Sequence, residues 1–215
     1  MKSFTTILLT AATLNAAAAA STQAAMTSED ATQLIKESIA EAVEVLSDPE
    51  LQGKEHRVDR HLKLRGLSNK IFNWGAMAQR SLGPHWRGLN QDQRERFKTV
   101  FKEILAAHYL TQLDSFQGEE RVVHEGTEPA GDGYQVKMTL ITASRSTVPL
   151  NFFVNPDLKV YDVAIEGVSL TNHFRGSFNR LLVNGDFESM MKQLERKLAV
   201  QKRIEAQAQE NPSET

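Results

Sequence analysis

The residue types that bind metals or act as nucleophiles are scattered along this chain. Of its six histidines, only His56 and His61 are close in sequence, and a separation of five residues does not place two imidazoles on one helical face. Ser169 follows Gly167-Val168, but this triplet lacks the G-x-S-x-G pattern of a hydrolase nucleophile elbow. Cysteine is absent, and no glycine-rich phosphate loop is present. These patterns therefore predict no metal site, no cofactor and no hydrolase.

One pair of residues could perform acid–base chemistry. Tyr161 and Asp162 are adjacent in a predicted strand, and burial of a carboxyl group in an apolar pocket would raise its pKa. Strand alternation sends neighbouring side chains to opposite faces, so these two should not serve one pocket. We therefore expect Asp162 or Glu166 to pair with a helix cation such as Arg175. A small isomerase or dehydratase, with Asp162 or a histidine as base, stays an alternative.

A basic segment covers residues 54–65. It contains five cations and two carboxylates, namely Lys54, Arg57, Arg60, Lys63 and Arg65 against Glu55 and Asp59. The whole chain has a formal net charge of −2, which argues against a nucleic-acid partner. Two interpretations of the segment remain: a solvated helix face, or a lip that contacts lipid headgroups or an acidic partner.

Three helices are predicted in the first half of the chain. The first spans Thr32–Leu46, and the second runs over Val58–Leu82 and stops at Gly83-Pro84. Asn90 caps the third, with Gln93 at the capping-box position. Its apolar residues recur at helical spacing and form a face wide enough to cover a sheet.

The pattern then changes from helical to alternating. Strands are predicted at 134–142, 148–154 and 160–168, with a shorter one at 121–124. A helix from about Thr171 is interrupted by Asn184-Gly185, and a last helix starts near Asp186. Helices, then an antiparallel meander, then helices indicate an α+β fold.

The two ends differ from the middle in composition. Residues 1–25 combine Lys2, an apolar stretch and the small residues Ala16–Ala20, as a secretory signal peptide does. Residues 26–200 form the predicted domain, and 201–215 are predicted to be a polar, disordered tail. The mature chain would then leave the cytoplasm.

The segment Lys159–Leu194 resembles one known family. Its KVYDVAIEGVSLTNHFRGSF is similar to the C-terminal signature of the MlaC/toluene-tolerance family of periplasmic phospholipid-binding proteins. The similarity extends to FNWGAMAQRSLGPHW (Phe72–Trp86) and FKTVFKEILAAHYL (Phe97–Leu110), and covers about residues 32–200. Leu158 stands where the family usually has tryptophan, and Phe174 where tyrosine commonly precedes the arginine.

The resemblance implies an NTF2-like cone in which a curved antiparallel sheet of about four strands packs against helices around a hydrophobic cavity. It implies a non-enzymatic carrier of phospholipid across the periplasm. Its partners would be an inner-membrane MCE-protein/ABC-transporter complex and an outer-membrane lipoprotein–porin complex. A related branch is associated with hopanoids, which leaves the cargo open.

Inward-facing apolar residues are the candidates for the lining of that cavity. Periodicity alone does not separate a cavity wall from a solid core, and a solid core would favour an interaction module acting through the basic segment. A cavity for a two-chain lipid should hold on the order of 1,000 Å³. Arg175 would sit at its mouth or pair with Glu166. The candidate lipid-binding residues are Trp74, Phe97, Phe101, Leu105, Val136, Met138, Leu140, Leu150, Phe152, Val163 and Ile165.

Overall fold

A computed structural model describes residues 26–210, and its helices and strands follow the predicted order. The helices are α1 (Ser28–Ser47), α2 (Arg57–Ile71), α3 (Trp74–Leu82), α4 (Gln91–Leu113), α5 (Leu170–Val183) and α6 (Phe187–Glu210), with short 3-10 helices at Pro49–Leu51 and Gly83–Gly88. The strands are β1 (Arg121–Ala130), β2 (Gly133–Ile141), β3 (Thr147–Asn155), β4 (Lys159–Ile165) and β5 (Val168–Ser169). The predicted signal peptide and the last five residues of the predicted tail lie outside the described residues.

The strands form one antiparallel sheet in the order β1-β2-β3-β4-β5. The α+β class and the antiparallel meander are confirmed, with a fifth strand beyond the expected four. Glu166 and Gly167 have φ angles of 50° and 81°. Two consecutive positive φ angles make the tight turn that returns a chain on itself, so β5 pairs back onto β4 as a separate short strand.

The predicted second helix is two helices, which corrects its expected span. The chain is extended at Phe72, whose ψ is 136°, and the Asn73 backbone N–H donates to the Val160 carbonyl at 2.8 Å. The Asn73 side chain then accepts from the Ala76 N–H at 2.9 Å and caps α3. Periodicity missed the break because the apolar stripe continues across it. The hydrogen bond from Asn73 to Val160 ties the α2–α3 corner to the sheet.

Strand β1 is longer than predicted. It runs for ten residues instead of four, with a register shift between His124 and Gly126. The bulge interrupts the alternation of side chains, and the polar residues after it hide the rest of the strand from pattern recognition.

A second irregularity, in β4, overturns the predicted separation of Tyr161 from Asp162. The register passes from Phe153↔Asp162 to Val154↔Val160, so Tyr161 is the extra residue of a bulge. Cross-strand partners share a face, which puts Asp162 on the side of Phe153. The Tyr161 ring also contacts the Phe153 ring, with centroids 6.1 Å apart. Both side chains therefore lie on this face, and Tyr161 does not share one with Val163.

Helix α6 continues into the predicted tail. It ends at Glu210, so residues 201–210 are helical and not irregular. Lysine, glutamine, glutamate and alanine predominate there, and they are good helix formers although they lack the apolar pattern of a packed segment.

The buried apolar residues form three clusters. The first joins α3, α4, α5 and α6 around Phe97 and Phe101, and the second joins α1 to the sheet around Ile35 and Val136. The third, smaller cluster joins α1, α2 and α4 around Leu64. Domains of this size usually have one continuous core. The division leaves space where the three clusters would meet.

An arginine connects α4 to α6 across the first cluster. Arg96 donates Nε to Glu195 at 2.8 Å and Nη1 to Glu188 at 2.7 Å. The hydrogen bond from Arg96 holds the pKa of Glu195 below its usual range.

We expect Glu195→Gln to flatten part of the pH dependence of stability. A carboxylate whose pKa is lowered by folding stabilises the protein above its unfolded pKa of about 4.3, and this contribution is lost as pH falls through the folded value. Because the pair is partly exposed, the loss at neutral pH should be at most about 1 kcal/mol. The free energies of unfolding of wild type and Glu195→Gln, measured with urea from neutral to acidic pH, should converge at low pH. Exposed Glu119→Gln is the matched control, and an equal loss there would contradict the assignment.

Candidate ligand-binding site

An apolar cavity of about 310 Å³ lies between α1, α2 and α4 on one side and β3 and β4 on the other. We name it the inner cavity. All three clusters contribute to its wall: Ile35, Ser38, Ile39, Ala42, Leu64, Arg65, Leu67, Ser68, Ile71, Phe72, Trp74, Met77, Lys102, Leu105, Ala106, Tyr109, Leu110, Leu113, Phe152, Val163, Ile165 and Leu170. Protein interiors rarely leave a void of this size, so its apolar wall indicates a binding site for an apolar ligand.

The few small polar groups of the wall are already satisfied. The Ser38 hydroxyl donates to the Leu34 carbonyl at 2.7 Å, and the Ser68 hydroxyl donates to the Arg65 carbonyl at 2.9 Å. The wall, which lies wholly within the described residues, includes no carboxylate and no imidazole. It can therefore solvate hydrocarbon but supplies no general base.

Two cations belong to the wall of the inner cavity. Arg65 and Lys102 line it between α2 and α4, and both keep part of their surface exposed. Arg65 Nη1 lies 2.8 Å from Glu103 Oε1, and Lys202 Nζ lies 3.0 Å from Glu103 Oε2. Burial would raise the pKa of Glu103, but the Lys202 hydrogen bond and the Arg65 charge lower it below its usual range. Glu103 therefore stays ionised and holds Arg65 in place.

The wall also presents two polar aromatic side chains. The Trp74 indole N–H is buried and finds no acceptor among residues 26–210. An unpaired buried donor costs about 1–3 kcal/mol, so a ligand with a carbonyl oxygen within reach would relieve it. Burial raises the pKa of the Tyr109 phenol, which stays neutral.

A second space, which we name the side recess, adjoins the inner cavity. It encloses about 420 Å³ between α1, the end of α4 and strands β1–β3. Ile39, Ala42 and Leu113 line both spaces and form the partition between them. Neither space reaches the 1,000 Å³ expected of a single cavity, and their volumes taken together also fall short of it.

The eleven candidate residues separate into three groups. The inner cavity is lined by Trp74, Leu105, Phe152, Val163 and Ile165, and the side recess by Leu140 and Leu150. Four residues line neither space: Phe97 and Phe101 are buried in the helical cluster, and Val136 and Met138 in the cluster of α1 and the sheet. The apolar face of α4 was expected to cover the sheet. Its Phe97–Phe101 half packs on other helices instead, which explains why the first pair lines neither space.

Sequence reasoning missed the contribution of α1 and α2 to the wall. Ile35 and Ile39 stand at helical spacing in the predicted first helix, so this signal was available. Leu64 and Leu67 belong to a helix whose polar composition conceals its inward side.

Asp162 has a structural role and not the expected pairing with Arg175. Its carboxylate is 3% exposed and accepts from the N–H groups of Val163 (2.9 Å) and Thr171 (3.1 Å). It also accepts from the hydroxyls of Ser169 (2.6 Å) and Thr171 (2.9 Å). Arg175 instead donates Nε to the Arg80 carbonyl at 2.8 Å, and it lines neither space. Glu166 lies in the exposed β4–β5 turn.

The basic segment is only partly solvated, which corrects its simplest interpretation. Arg60 is 7% exposed and donates to the Leu51 carbonyl and to Asp114, each at 2.6 Å. His61 contacts the same Asp114 oxygen at 2.9 Å.

Across residues 26–210, no group of three or more His, Asp or Glu side chains is arranged to hold a metal ion. None of the helices in that range is long and apolar enough to cross a membrane.

Comparisons with known proteins agree with this arrangement. The model of the MlaC protein family matches residues 36–196. The fold is similar to the crystal structure of a phospholipid-binding protein from Ralstonia solanacearum in complex with a phospholipid. The two structures match with a TM-score of 0.70 and a sequence identity of 21%, and the match covers 80% of this chain and 99% of the Ralstonia chain. A search of curated proteins found no match.

Proposed function

The chain belongs to the MlaC family, and on this premise we propose that it is a periplasmic carrier of phospholipid. The observation that carries the proposal is the inner cavity: an apolar void where three packed clusters fail to merge. The phospholipid bound by the structural relative from Ralstonia solanacearum supports the same class of ligand. Residues 1–25 would be the cleaved signal peptide that directs the chain to the periplasm.

The physical task of such a carrier suits this wall. Each buried methylene group is stabilised by about 0.8 kcal/mol, so exposing one acyl chain to water would cost more than ~10 kcal/mol. A wall of aliphatic and aromatic side chains replaces the bilayer during transfer. Release requires that it bind the chains no more tightly than a membrane does.

The carrier would exchange lipid between two membrane complexes. In this proposal it either receives phospholipid from an outer-membrane lipoprotein–porin complex or delivers phospholipid to that complex. It exchanges the same lipid with an inner-membrane MCE-protein/ABC-transporter complex, and thereby maintains the lipid asymmetry of the outer membrane. A hopanoid-like cargo is the alternative, since an apolar wall does not by itself choose between hydrocarbons.

Native mass spectrometry of the chain purified from a bacterial periplasm tests the proposal. We expect a population whose additional mass dissociates as intact phospholipid, identified by fragmentation of the released species. Recovery of hopanoid alone would assign the alternative cargo. A chain that stays lipid-free after incubation with phospholipid vesicles would contradict the carrier function.

A further inference from the structure

The part of α4 that lines the inner cavity forms one continuous stripe. Its members recur at spacings of three and four residues: Lys102, Leu105, Ala106, Tyr109, Leu110 and Leu113. At about 1.5 Å per residue, the stripe from Lys102 to Leu113 is roughly 16 Å long. The hydrocarbon core of a bilayer is about 30 Å thick, so the acyl chains of one leaflet span about 15 Å. The inner cavity therefore follows α4 for about the length of one acyl chain.

The inner cavity is also about one hydrocarbon chain wide. Its volume of about 310 Å³, spread over roughly 16 Å, gives a mean cross-section of about 20 Å². That is the cross-section of a single extended hydrocarbon chain, and it leaves no room for two chains side by side. The volume also lies at the lower end of the range of about 300–1,000 Å³ that small-molecule sites occupy.

The side recess does not provide a matching wall for a second chain. It is lined by the carboxylate of Glu120, which accepts from the Gln117 backbone N–H at 3.1 Å. Five further polar residues line it: Gln112, Ser115, Gln117, Thr142 and Ser144. Hydrocarbon packed there would take a charged group and several hydroxyl and amide groups out of water, which is unfavourable. Of the two spaces, the inner cavity is thus the one suited to an acyl chain.

We propose that the inner cavity binds a single acyl chain, and that the phospholipid carried is a lysophospholipid, which has only one. This inference rests on the proposed carrier function and names its substrate class. A phospholipid with two acyl chains would place one in the cavity and leave the other in water. Each methylene group left in water weakens binding about 4-fold, so the second chain selects strongly against the two-chain lipid. A lysophospholipid has no second chain to expose.

The test lets the two lipids compete for the protein from one membrane. The mature chain, stripped of lipid, is brought to equilibrium with vesicles of dioleoyl phosphatidylcholine that contain about one tenth 1-oleoyl lysophosphatidylcholine. The two lipids share a headgroup and an acyl chain, and native mass spectrometry identifies the bound species. We expect the lysophospholipid to be enriched at least ~100-fold over its share of the membrane, because the membrane buries both chains of its competitor and the cavity buries one.

The other outcomes separate this inference from the carrier function. Bound lipids in the proportions of the vesicle would mean that the protein buries two chains, which overturns the one-chain site and leaves the carrier function intact. A chain that binds neither lipid overturns both. Oleate added in equal amount distinguishes a lysophospholipid from a free fatty acid. If oleate displaces the lysophospholipid completely, the cavity is a fatty-acid site and the assigned cargo is wrong.

A matched pair of variants tests whether the width of the cavity causes the selection. Phe152 and Phe153 are adjacent on β3 and both half-buried, but only Phe152 lines the inner cavity. Phe152→Ala widens the cavity, so we expect the ratio of bound two-chain to one-chain lipid to rise at least ~10-fold over the wild type. Phe153→Ala should keep the wild-type ratio. The same ratio in both variants would mean that the cavity width does not exclude the second chain, and the inference fails.

Discussion

Ala106→Phe is expected to abolish the co-purification of lipid while the chain stays folded. Ala106 lines the inner cavity from α4, so a phenyl group would project into an existing void and displace ligand, not protein atoms. Exclusion of about four methylene groups, at ~0.8 kcal/mol each, weakens binding by about 3 kcal/mol, on the order of 100-fold. Native mass spectrometry and titration with a fluorescent phospholipid measure the loss.

The next residue on the same helix provides the control. Ala107 faces the outer groove between α4 and α6, which His108 and Lys197 also line. Ala107→Phe makes the same chemical change outside the inner cavity and should leave lipid binding near the wild-type level. Equal lipid binding by the two variants would mean that the inner cavity is not where the acyl chain lies.

Asp162→Ala is expected to cost about 4 kcal/mol of folding stability. The change leaves two buried backbone donors, the N–H groups of Val163 and Thr171, without an acceptor, at about 1–3 kcal/mol each. Loss of the two hydroxyl partners adds to this. The expected effect is a lower urea midpoint and a lower melting temperature, because the carboxylate anchors the start of α5 to β4.

Asp162→Asn refines this prediction. The amide keeps the size of the side chain and one acceptor oxygen, so its loss of stability should lie between those of wild type and Asp162→Ala. Exposed Asp157→Ala, in the β3–β4 turn, should stay within about 0.5 kcal/mol of wild type. A loss below about 1 kcal/mol in Asp162→Ala would refute the anchoring role and reopen the question of a catalytic one.

Much of the fold could be predicted from local sequence signals. The Asn90–Gln93 capping box starts α4, and Gly83, with a φ of 57°, ends α3, as these residue types require. The breaks at Phe72 and Tyr161 could not be predicted in the same way. Both depend on a partner distant in the chain: the Val160 carbonyl in the first case and the register of β3 in the second.

The candidate site shows the same division. The sequence indicated which faces of the helices and strands are apolar, and seven of the eleven residues chosen from those faces line the inner cavity or the side recess. Phe97 and Val136 are as apolar and as regularly spaced as Leu105 and Phe152, yet they lie in solid clusters. Periodicity reports which side of a helix or strand turns inward, but not how far away the opposing element lies.

By itself, the sequence determined the α+β class, most helix ends, the absence of cysteine chemistry and the resemblance to a lipid-binding family. Only the tertiary structure decided that α4 and the sheet stand apart across an apolar void, and that Arg60 is buried against Asp114 beside it. The physical reason is that capping and amphipathicity act between residues a few positions apart. A cavity is instead a property of the distance between elements packed from distant parts of the chain.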